Sequence, residues 1–156
     1  MSQRHRARRL ALQGLCCLDA QGPGVMDLIG QFLDDSREPA ETVELSRTML
    51  TQAFAAREDC DAVLSRHTRD WNLARLAMVD RNILRLAVWE LVIGRTPPKV
   101  VIVEAIRLAR EFSAAESPRF INGVLDAVAR ELAGGQADQP ASTPPEPPPA
   151  DQDEQM

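Results

Sequence analysis

From Leu73 to Ile93 the apolar residues Leu76, Val79, Ile83, Leu86, Ala87 and Leu91 recur three and four apart, the spacing that turns one stripe of an α-helix toward a core. The pattern repeats through most of the chain, and no stretch of any length alternates apolar and polar residues as a half-buried strand does. A first helix is expected from about Arg6 to Ala20, with Ala7, Leu10, Ala11, Gly14, Leu15 and Leu18 facing inward and Gly22-Pro23-Gly24 ending it. A short second helix uses Met26, Ile29, Phe32 and Leu33, and an acidic connector follows over 34–41. The third helix is expected from about Pro39 to Arg57 and the fourth near Glu58–His67; the fifth is the Leu73–Ile93 segment, stopped at Gly94. Thr96 as cap with Pro97 in the first turn starts the sixth, and Ser117 with Pro118 repeats the device for the seventh. About seven helices joined by short connectors predict an all-α bundle in which helices adjacent in sequence pack together.

A chain of 156 residues suits one domain and buries enough surface to fold without a metal or disulfide. Cys16, Cys17 and Cys60 cannot all pair and show no CxxC or Cys/His ligand spacing, so reduced thiols in a cytoplasmic protein are expected. Cys16-Cys17 lies near the apolar stripe of the first helix and reads as a pair of small buried side chains. No apolar run approaches the ~18 residues of a membrane span, and the Arg-rich start lacks the apolar core of a signal peptide. Residues 134–156 carry five acids, no base, six prolines between Pro140 and Pro149, and no Ile, Leu, Val or aromatic. Such a segment cannot offset the entropy of ordering, so it is expected to be a disordered tail behind a helical domain spanning 1–133. With the tail set aside, acids and bases balance, but residues 1–9 hold four arginines and no acid. A basic end on a mildly acidic body points toward nucleic acid or another anionic surface.

Motifs that would carry catalysis or hold a cofactor are absent: the chain has no Gly-rich phosphate loop, GxSxG, HExxH or EF-hand pattern. Its two histidines, His5 and His67, have no Cys or carboxylate at ligand spacing, and His67 at a helix end would complement the dipole. No catalytic residue, metal site or cofactor is therefore assigned. Tyr is missing and six aromatics remain, which disfavours folds that stack bases on exposed rings.

Three constellations stand out. Arg4-His5-Arg6-Ala7-Arg8-Arg9 crowds positive charge at a helix N-terminus, which opposes the helix dipole unless an anion arrives. Arginine presents a planar fork to phosphate, so this is either an RNA-contacting arm that orders on binding or a solvated start without a role. In Asp80-Arg81-Asn82-Ile83-Leu84-Arg85, Arg81 and Arg85 are four apart and repel unless an acid bridges them. Arg85 reads as an internal ion pair, with Asp80 or Glu104 as its acid, while Asp80 and Arg81 read as an exposed partner-binding edge. In Arg119-Phe120-Ile121-Asn122-Gly123, Asn122 and Gly123 are poor mid-helix residues with packing or capping roles, and Arg119 is expected to extend the basic surface of the arm.

In order along the chain, Val79-Asp80-Arg81-Asn82-Ile83-Leu84-Arg85-Leu86-Ala87-Val88-Trp89-Glu90-Leu91, Pro98-Lys99-Val100-Val101-Ile102-Val103-Glu104-Ala105-Ile106, Phe112 and Arg119-Phe120-Ile121-Asn122-Gly123-Val124-Leu125-Asp126 resemble the NusB family of bacterial transcription antitermination factors. Arg8-Arg9-Leu10-Ala11-Leu12-Gln13-Gly14-Leu15 is similar to that family's opening helix, and the resemblance covers about residues 4–132. It implies two packed three-helix units. It also implies a protein that binds the boxA element of nascent RNA jointly with the ribosomal protein NusE, and so helps elongating RNA polymerase, indirectly, through ribosomal RNA operons. By position, Arg4, Arg6, Arg8 and Arg9 correspond to the family's RNA-binding arginine motif. Asp80 corresponds to an acidic position on the face that meets NusE, and Arg119, Phe120 and Asn122 to the block flanking the RNA site.

Two positions depart from the family pattern. Cys16 stands where an aromatic, often Tyr, is usual, so any contact by that ring is lost. Val103 stands where the family has Asn before the Glu-Ala pair, which suggests repacking. Two other readings compete: an RNA-recruiting helical subunit related to ribosomal RNA cytosine methyltransferases, and a helical adaptor that binds only protein. A homodimer stays open as well, with no self-complementary signal in the sequence.

Overall fold

A computed structural model of the chain describes residues 2–68, 72–134 and 147–148. Among the described residues there is no strand, and the regular structure is seven α-helices with two 3-10 turns. The helices are α1 (Gln3–Gln21), α2 (Met26–Asp34), α3 (Ala40–Ala55), α4 (Arg57–Ser65), α5 (Met78–Ile93), α6 (Pro98–Phe112) and α7 (Ser117–Leu132). The expected all-α class holds. They divide into two compact units, Met1–Ala56 with α1 to α3 and Arg57–Met156 with α4 to α7, so the second unit has one helix more than the resemblance implied. The disordered-tail expectation falls almost wholly outside the described residues.

In the first unit α1 packs along α3, and α2 lies against both. Ala7, Leu10, Ala11, Gly14, Leu15 and Leu18 are all buried, as their spacing predicts. Gly14 is where the helices come closest: a Cβ there would sit 2.9 Å from both Leu50 methyl carbons and 3.2 Å from Ile29 Cγ2. Helix α1 starts three residues earlier than expected, because the Ser2 hydroxyl accepts the His5 N–H at 3.1 Å and caps it. In α2, Ile29 and Leu33 face inward while Phe32, expected beside them, is exposed. Cys17 is exposed as well, on the outward side of α1 with Gln13, so the pair is not a buried one.

In the second unit α5, α6 and α7 pack against one another, and α4 lies against α5 and α7. Apart from Phe120 the core is aliphatic, with Ile83, Leu84 and Val88 of α5, Val101 and Leu108 of α6, and Ile121, Val124, Leu125 and Val128 of α7. The long helix expected over Leu73–Ile93 is broken. Leu73–Arg75 is a 3-10 turn capped by the Asn72 side chain, Leu76 is extended, and α5 begins at Met78. Arg81 Nη1 donates to the carbonyls of Leu73, Ala74 and Leu76 at 3.2–3.3 Å, satisfying acceptors that a continuous helix would have paired. Gly94 ends α5 in the left-handed region at φ 72°, a conformation glycine adopts without a Cβ penalty. Both predicted caps shift: Pro97, not Thr96, precedes α6, and Ser117 is the first residue of α7 rather than its cap.

Candidate nucleic-acid interface

The N-terminal turns of α1 hold Arg4, Arg6, Arg8 and Arg9 and no acidic residue. Ser2 satisfies the His5 amide, and the Arg6 amide bonds to the Ser2 carbonyl. The Gln3 and Arg4 amides precede the first intrahelical bond and face outward with the positive end of the dipole. Unpaired backbone donors and basic side chains thus occur together at this end of the helix, which favours an anion. The four side chains are not equivalent. Arg4 is exposed, Arg6 and Arg9 are half-buried, and Arg8 keeps only 3% of its surface exposed. The helical spacing accounts for this, since positions 5, 8, 12 and 15 share the inward side and His5, Leu12 and Leu15 are buried with Arg8. Arg8, expected among the RNA-contacting arginines, is therefore held on the buried side of the helix. Arg6 Nε lies 3.3 Å from Glu38 Oε2, an acid outside the helix that offsets part of the charge.

At the start of α5, Asp80 and Arg81 were expected on an exposed partner-binding edge; Asp80 is buried and Arg81 half-buried. Asp80 is 1% exposed and accepts the Ser117 hydroxyl at 2.9 Å, tying the first turn of α5 to the first turn of α7. Its other oxygen, Oδ1, and the Ser113 hydroxyl are both buried and close to one another without a well-formed hydrogen bond. Burial pushes the Asp80 carboxyl above the usual carboxylate range, with the neighbouring Ser113 and Ser117 hydroxyls drawing it back. Arg81 is half-buried and occupied by the three carbonyls of the preceding turn. Arg85 forms the internal ion pair expected of it, but with a different acid. Its Nε and Nη2 meet the two carboxylate oxygens of Asp61, each at 2.8 Å, and lock α5 to α4. Sequence spacing missed Asp61 because the two residues are brought together only by the crossing of α4 and α5.

The Arg119 block divides by face. Arg119 and Asn122, three apart on α7, are exposed. Phe120, expected with them in the RNA-flanking block, is 1% exposed and part of the core. Val103, which stands where the family has Asn, is 49% exposed on α6. A further cluster went unrecognised. Glu131 at the end of α7 meets Arg66 at 2.5 Å and His67 Nε2 at 3.0 Å, and the Arg66 hydrogen bond holds its carboxyl below the usual range. Among the described residues no group of three or more His, Cys, Asp or Glu is placed to hold a metal ion. No helix there is long and apolar enough to cross a membrane. Cys60 is buried, and its thiol is pushed up to about 11 by burial and then by Asp61 and Asp59, which leaves it unreactive.

The comparisons with known proteins bear on this arrangement. The model of the NusB family matches residues 5–130. The transcription antitermination protein NusB of Solibacter usitatus is 43% identical over 134 residues, covering 85% of this chain and 92% of that relative. The protein of the same name from Streptomyces coelicolor is 40% identical over 129 residues, covering 80% and 91%. Among solved structures, T. maritima NusB aligns with a TM-score of 0.73 at 30% identity, over 84% of this chain and 92% of that one. A structure described as antitermination factors NusB and NusE in complex with dsRNA aligns with a TM-score of 0.75 at 26% identity, over 84% and 98%. With this fold, this length of match and these identities, the chain belongs to the NusB family.

Proposed function

We propose that this protein is a non-enzymatic, cytoplasmic antitermination factor that binds boxA-type RNA together with the ribosomal protein NusE and acts on elongating RNA polymerase through that complex. Family membership supports the reading, as does the structure in which a relative, NusB, is joined with NusE and dsRNA. The observation that carries the RNA contact is the N-terminal end of α1, where exposed Arg4 and half-buried Arg6 and Arg9 stand in a turn without acids. These three supply sequence-independent phosphate affinity. Arg119 and Asn122, exposed on α7, are further polar candidates for RNA contact, and the NusE partner supplies most of the selectivity. Asp80 and Arg81 serve the partner-facing edge from beneath, by fixing the α5–α7 junction and the turn before α5. The helical part, residues 1–133, does this work, and residues 134–156 are an appended tail.

The test is RNA binding as a function of salt. Three phosphate contacts to single-stranded RNA predict a log–log slope of about -2.1, at ~0.7 per contact. Alanine at Arg4, Arg6 and Arg9 together flattens the slope toward zero while the helical circular dichroism signal stays at the parent value. Unchanged affinity and slope in that variant, with and without NusE, refute the assignment of the α1 arginines.

A further inference from the structure

The ends of the second unit differ in character. The Ser117–Asp80 bond puts the starts of α5 and α7 together at one end. The short turn over 94–97 puts the end of α5 against the start of α6 at the other. At this second end Val92 and Ile93 of α5 and Val100 and Val103 of α6 keep between 38% and 58% of their surface exposed. The outward stripe of α6 continues from Val100 and Val103 to Arg107 and Arg110, all exposed, and Arg95 and Lys99 are exposed beside the valines. The acid within this stretch, Glu104, is buried and sits 3.1 Å from Arg107. Exposed aliphatic side chains and exposed bases thus share this end of α5 and α6, with Glu111 exposed beside Arg110, on a part of the chain, residues 10–133, in which acids outnumber bases by four. The first turn of α6 adds the positive end of its dipole.

We propose that the α5–α6 corner is a second docking surface, which takes an acidic amphipathic helix from a partner protein. Leucine-type side chains of that helix cover Val92, Ile93, Val100 and Val103, and its carboxylates face Arg95, Lys99 and Arg107. The surface is distinct from the Asp80 edge, which lies at the opposite end of α5, about 20 Å away at 1.5 Å per residue. Its exposed apolar side chains are branched aliphatics, which suit apolar side chains, whereas single-stranded RNA seeks rings on which bases stack. A second copy of this chain is disfavoured, because a two-fold interface would set these exposed bases against their own copies.

The experiment uses the full chain with methyl-labelled Val and Ile and three synthetic peptides of equal length. One carries leucines at helical spacing among glutamates, one has lysines in place of the glutamates, and one has serines in place of the leucines. The first peptide alone is expected to shift the Val100 and Val103 methyl signals. Its affinity should drop about tenfold in Val103→Asp and in Lys99→Glu, and it should weaken as added salt shortens the screening length. Both positions are exposed, so both variants should melt with the parent. The proposal is overturned if the acidic amphipathic peptide leaves these methyls unmoved or shifts a different region. It is equally overturned if the lysine peptide binds as well, if boxA RNA moves the same methyls, or if they move on dilution of the protein alone.

Discussion

Replacing Phe120 separates two roles that the sequence left entangled. The residue was expected in a block flanking an RNA site, yet it is 1% exposed and shares α7 with Ile121 and Val124, which are wholly buried. If the ring is core, Phe120→Ala opens a cavity and costs about 3–5 kcal/mol, a large part of the ~5–15 kcal/mol that holds a domain folded. Phe120→Leu is the sharper probe, because an apolar swap of nearby volume costs only about 1–1.5 kcal/mol. For a chain of this size each kcal/mol moves the melting midpoint by roughly 2–4 °C, so the leucine variant should melt about 2–6 °C below the parent. RNA affinity is then measured by anisotropy with a fluorescent boxA oligonucleotide well below either midpoint, where both proteins are folded. The expected result is a lowered midpoint with affinity within about twofold of the parent. A leucine variant that melts with the parent yet binds RNA about tenfold more weakly would mean that the ring meets RNA, and the core assignment would fail.

Two further substitutions test the packing and the buried carboxyl. Gly14→Ala gains about 1 kcal/mol of helix propensity, but its Cβ would lie 2.9 Å from both Leu50 methyl carbons. Overpacking of that kind costs about 1–3 kcal/mol, so denaturant melts should show a net loss that Leu50→Val partly restores. Asp80 is raised above its unfolded value of 3.8 by burial, so the folded state holds that proton more tightly. Stability from this group is then greatest below the unfolded value and falls as pH rises through the window up to the folded value. Asp80→Asn should therefore be at least as stable as the parent at neutral pH, with a flatter pH profile in urea melts. Ser117→Ala, which strips the carboxylate of its hydroxyl donor, should lose about 1–3 kcal/mol at neutral pH. A parent-like pH slope in Asp80→Asn would refute the account of that buried oxygen.

Helical periodicity alone determined the all-α class and the inward stripes of α1 and α7, because a repeat of 3.6 residues is a local property that burial merely ratifies. The four arginines and the absence of a neighbouring acid were equally plain, since charge is read directly from composition. Which arginines face outward was not. Arg8 is buried through its angular position on a helix that begins at Gln3, and that start depends on the Ser2 cap. The sequence could not separate Asp80 from a surface acid, because its burial comes from the α6–α7 junction folding back to place Ser117 against it, thirty-seven residues later. Asp61 beside Arg85 and Glu131 beside His67 belong to the same class. Partners on different helices are chosen by crossing geometry, which no local spacing encodes. Tertiary packing likewise left Val103 and Phe32 outside and drew Phe120 in, because the apolar stripes of these helices are wider than the contacts that cover them.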